Sequence, residues 1–103
     1  MNKKTVQAKI FDPDNENFIT DIEVEIELVP PSNPNGKPHY EVIGTIKKPF
    51  VEICDKNLIL ELNPELRVSA LFILITSSAP WFTEFKIKLL DSILWESEWF
   101  ESL

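Results

Sequence analysis

Asp12, Asp14 and Glu16 put carboxylates at alternate positions of the segment Asp-Pro-Asp-Asn-Glu-Asn, and Glu23 follows a short way downstream. Alternating oxygen ligands in a short loop suit a hard cation such as Ca²⁺, which takes several oxygens at once. A second set, Asp21, Glu23, Glu25 and Glu27, alternates with Ile22, Val24, Ile26 and Leu28. These carboxylates carry charge rather than catalysis. Nucleophilic catalysis has little to work with. His39 is the only histidine and Cys54 the only cysteine, so every Ser-His or Cys-His grouping runs through those two residues. Cys54 sits in the alternating stretch Val51–Asp55 and reads as a small apolar residue. Gly36 and Gly44, the only glycines, build no phosphate-binding loop. We read the chain as non-enzymatic.

In spacing, Asp12–Glu23 resembles the calcium loop of the EF-hand family. Asp12, Asp14 and Glu16 take the first, third and fifth loop positions, Ile19 the apolar one, and Glu23 that of the bidentate carboxylate. The resemblance implies Ca²⁺ held by Asp12, Asp14, Glu16 and Glu23. The chain departs from the pattern where the family has its turn glycine, which is Asn17 here. It departs again at the flanks, which alternate as strands where the family has helices. Asp, Asn and Pro also favour such a loop for turn reasons alone, so an acidic hairpin tip stands beside the calcium reading.

The elements that position these groups are strands. Side chains of a strand point to opposite faces in turn, so Phe18–Val29 is expected to bury Ile22, Val24, Ile26 and Leu28 and to turn a comb of Asp21, Glu23, Glu25 and Glu27 outward. Thr5–Phe11 alternates likewise. A hairpin of the two places Lys9 near Asp21, Gln7 near Glu23 and Lys3 near Glu27. The comb is either the solvated face of a sheet, or a negative strip that steers and docks a basic partner. Lys86 and Lys88, alternating with Phe85, Ile87 and Leu89, are expected to offset the comb if their strand is its neighbour.

Further strands are expected over 40–46, 50–55, 57–62 and 66–76, the last apolar on both faces, as in a strand covered on both sides. Residues 30–38 hold four prolines and form a surface loop within one domain spanning 1–103. After Pro80 two readings stand: a hairpin of Phe85–Leu89 with a return strand through Ile93, Trp95 and Trp99, or a C-terminal helix starting at Ser78–Pro80. The whole is an all-β, single-domain antiparallel β-sandwich or small β-barrel of seven to eight strands. No internal repeat is visible.

Seventeen acids against ten bases give a net charge of −7, which argues against nucleic acid or an anionic membrane as partner. One cysteine permits no internal disulfide. The N-terminal residues show no apolar signal-peptide core, and the longest apolar run, 70–75, is too short to span a bilayer, so a cytoplasmic protein is the expectation. The function expected is binding: an acidic accessory, inhibitor or immunity-type protein that recognises a protein, with a homodimer also compatible. Its expected contacts are the comb, His39 at the end of the proline-rich loop, and Trp99 and Phe100. The alternatives are a calcium-binding β domain without other cofactors, and a lipocalin-like carrier of a small apolar ligand.

Overall fold

The computed structural model describes residues 3–36, 39–78, 81–90 and 103. These form six strands: β1 (Lys3–Phe11), β2 (Phe18–Val29), β3 (His39–Ile46), β4 (Asn57–Asn63), β5 (Leu66–Ser78) and β6 (Phe82–Leu89). They close into an antiparallel barrel in the order β1-β2-β3-β6-β5-β4. Of the two architectures expected, the barrel is the one present. Alternation decides what fills it: Ile22, Val24 and Ile26 of β2 face inward with Ala8, Ile10, Leu58, Leu60, Val68, Ala70, Phe72, Phe85 and Ile87.

The expected hairpin register holds, with Lys9 opposite Asp21, Gln7 opposite Glu23 and Lys3 opposite Glu27. Phe82–Leu89 is a strand, which excludes the helix over those residues. The expected return strand through 93–99 lies outside the described residues. Phe50–Asp55, expected as a strand, is instead part of the turn-rich connection between β3 and β4. β3 and β4 stand on opposite sides of the ring, so the connection must cross one end of the barrel. It tucks Ile53 into the core and is held from β6 by the buried Thr83. The Thr83 hydroxyl accepts the Phe50 N–H at 2.8 Å and donates to the Lys48 carbonyl at 2.9 Å. A strand was the wrong expectation because the anchor of this segment is distant in sequence.

The topology maps onto itself when β1, β2 and β3 are superposed on β4, β5 and β6. Ala8↔Ile22 then corresponds to Leu58↔Ala70, and Val24↔Gly44 to Phe72↔Ile87. The two seams, Ile10↔Leu60 and Ile43↔Lys86, lie on the internal twofold axis. Volumes are exchanged across it. Gly44 is the small member, and a Cβ there would stand 2.5 Å from Cδ1 of Ile22 and 2.7 Å from Cδ1 of Ile87. Glycine is needed here for space.

Candidate functional site

The loop between β1 and β2 is built by its own polar side chains. The Asp12 carboxylate accepts the N–H of Asp14 at 2.8 Å and of Asn15 at 3.4 Å, and the Asn15 side chain accepts the N–H of Asn17 at 2.9 Å. The Asp12 carbonyl accepts the Glu16 N–H at 2.8 Å, and Glu16 takes the left-handed conformation at φ 58°. Here Asp and Asn shape a tight turn, which is what such residues do in turns. Glu23 lies further along β2, opposite Gln7, whose amide donates to it at 3.2 Å. Among the described residues no three His, Cys, Asp or Glu side chains are placed to hold a metal together. The expected ligand set Asp12, Asp14, Glu16 and Glu23 is therefore not assembled. A strand carries Glu23 along its own axis, whereas a calcium loop needs a helical turn to bring its last carboxylate back.

On the outer face of the barrel, β2 presents Asp21, Glu23, Glu25 and Glu27 as expected, with Glu41 of β3 directly opposite Glu27. The compensation expected from Lys86 and Lys88 does not occur, because β3 stands between β6 and β2. It comes from β1. Lys3 Nζ lies 2.9 Å from Glu25 Oε1, a diagonal pair in the β1–β2 ladder, and Lys9 faces Asp21. The hydrogen bond to Glu25, and then the charges of Glu25 and Glu27, hold the Lys3 ammonium above its usual pKa. Both partners of that bridge are open to solvent, so it contributes little to stability. A shallow depression of about 180 Å³ interrupts the face, lined by Gln7, Asp21, Glu23, Thr45 and Lys47 among others.

His39 opens β3, exposed, with Nε2 3.5 Å from Glu41 Oε1, so it adjoins the acidic face. Cys54 is free, half-buried and packed against the core from the β3–β4 connection, not from a strand. His39 and Cys54 belong to opposite ends of the barrel, since β3 runs its full length between them. Trp99 and Phe100 lie outside the described residues.

One surface has no counterpart among the expected sites. Leu66–Thr76 reads as a strand covered on both faces, yet Ile73 and Ile75 of β5 are exposed, as is Ile43 of β3. Lys86 lies between Ile43 and Ile73 in the ladder, with Lys88 opposite Leu71, so this face is apolar and basic. Trp81, at the β5–β6 turn, is 71% exposed. The double-sided apolar run was the available signal. It pointed to burial by the chain itself, and among the described residues none covers this side.

No helix among the described residues is long and apolar enough to cross a membrane. Compared with known proteins, the chain matches no family model, no curated protein and no solved structure.

Proposed function

We propose that this barrel is a non-catalytic binding module that docks a protein with a basic surface onto the β1–β2–β3 face, as an inhibitor or immunity-type accessory would. The observation that carries the reading is the comb itself. Asp21, Glu23, Glu25, Glu27 and Glu41 share one outer face, and the cations directly across the ladder from them are Lys3 and Lys9. The excess of negative charge on a rigid sheet steers a cationic partner and fixes its orientation. The depression beside Asp21 and Lys47 offers a notch for one side chain of such a partner. A cytoplasmic setting agrees with the lone free thiol of Cys54.

The test is capture of a partner from the native host, followed by affinity measurement with the purified pair. Reversing two charges in Glu23→Lys/Glu25→Lys is expected to weaken binding by about tenfold or more, and added salt to slow association. Affinity unchanged by the reversal leaves the comb as solvated surface and ends the proposal.

Barrel closure favours a second reading, the carrier of a small apolar ligand, because a closed antiparallel barrel is the architecture such carriers use. The interior holds Phe72, Phe85, Ile10 and Leu60, all fully buried, so a ligand must displace side chains to enter. On this reading, titration with fatty acids and small aromatics gives a saturable change in tryptophan emission at one ligand per chain. Emission indifferent to the whole panel counts against it.

A further inference from the structure

Among the described residues, the closed barrel leaves one strand edge without a neighbour. Pairing of β5 with β4 ends at Asn57↔Leu71. The last bonds across that seam run from the Asp55 N–H to the Phe72 carbonyl at 2.8 Å and from the Phe72 N–H to the Lys56 carbonyl at 3.2 Å. β5 continues to Ser78, paired with β6 on its other side. From Ile73 to Ser78 the edge facing away from β6 has no strand beside it among the described residues. The internal twofold axis shows what is missing. In the first half of the barrel, Lys3 and Lys4 of β1 pair with Glu27 and Ile26 of β2. Their counterparts in the second half, Ile53 and Cys54, turn away into the connection that caps the barrel, and no described strand pairs with the equivalent stretch of β5 on this side.

Natural edges are usually blunted by charge, by proline or by a bulge that twists the edge away. Val68–Ser78 has no ionisable residue and no proline. Its one interruption is a bulge between Leu74 and Thr76. Leu74 and Ile75 are 37% and 48% exposed on this edge.

We propose that this edge pairs antiparallel with the same edge of a second copy, so that two barrels share one continuous sheet about a twofold axis. The edge calls for an extended, uncharged, β-branched strand, and an identical copy supplies one; antiparallel pairing of like strands satisfies twofold symmetry without further adjustment. Charge selects the same face. β5 stands diametrically across the ring from β2. Two chains of net charge −7 joined at β5 therefore keep their acidic combs as far apart as the barrels allow. A basic partner is drawn to the opposite side.

Sedimentation velocity under reducing conditions, from about 1 to 200 μM, reads the association directly. A monomer–dimer equilibrium is expected, undiminished by added salt because salt screens the repulsion between the two chains. Ile75→Lys and Thr76→Lys, both at exposed positions, are each expected to weaken it at least about tenfold. Melting temperatures confirm that the variants fold, and Thr76→Lys serves if Ile75→Lys does not. Glu23→Lys/Glu25→Lys is expected to leave the equilibrium intact. A chain that stays monomeric throughout overturns the proposal, including one that instead captures an extended apolar peptide at this edge. A dimer that survives both lysine variants, or that yields to the comb reversal, overturns it as well.

Discussion

Thr83→Val is expected to lower stability in urea by about 2–4 kcal/mol, although valine matches threonine in size. Thr83 is fully buried. Its hydroxyl answers two backbone groups of the β3–β4 connection, the Phe50 N–H and the Lys48 carbonyl, and lies 3.4 Å from the Ser77 hydroxyl. A methyl group in its place leaves a donor and an acceptor without their partner in a partly buried site, each at a cost of about 1–3 kcal/mol unless water reaches it. Thr83→Ser keeps the hydroxyl and gives up one methyl, so its loss is expected to be about 1 kcal/mol. The connection carries Lys47, which lines the depression on the acidic face, and Ile53, which plugs the core. The clasp therefore links the end of the barrel to the proposed docking surface. If the valine variant unfolds at the native urea midpoint, the connection is held by packing alone.

Thr83 also shows where the sequence stops being legible. Local alternation identifies β1, β2, β4 and β6, and it sets the β1–β2 register, because a strand with one buried face cannot slip by a residue without inverting it. Phe50–Asp55 alternates too. What makes it a turn is a hydroxyl some thirty residues later and a left-handed Asp55 at φ 60°, neither of which a local pattern encodes. Closure is equally distant information, since the β1–β4 and β3–β6 seams join strands far apart in the chain.

The internal twofold axis leaves no sequence repeat for a packing reason. Identical residues at its paired positions would over- or underfill the interior, so Ala8 is matched by Leu58, Ile22 by Ala70 and Gly44 by Ile87. The acidic loop is ambiguous in sequence. Alternate Asp and Glu suit a calcium loop and a polar turn alike, and the strand geometry of Glu23 separates the two only in three dimensions.

Phe72→Ala is expected to cost about 3–5 kcal/mol, a large share of the roughly 5–15 kcal/mol available to a domain of this kind. Phe72 is fully buried where the strand ladder, the end connection and the core meet. Its backbone joins β5 to Asp55 and Lys56, and its ring meets Phe85 edge to face, centroids 6.1 Å apart at 88°. The internal axis makes Phe72 the counterpart of Val24, and its neighbour Ile87 the counterpart of Gly44. The second half of the barrel thus supplies the volume that the first half lacks, and truncation at Phe72 removes volume that no facing residue replaces. A double-mutant cycle with Phe85→Ala is expected to show coupling of about 0.5–1.5 kcal/mol, the usual value for an aromatic pair. The same variant separates the two functional readings. In a barrel filled by its own side chains, truncation opens a dry cavity, and a benzene-sized ligand should raise the melting temperature of Phe72→Ala while leaving the native chain unmoved. A cost below about 1 kcal/mol, with the native chain answering to the ligand, means that the interior already has slack. The carrier reading would then displace docking as the better account of the barrel.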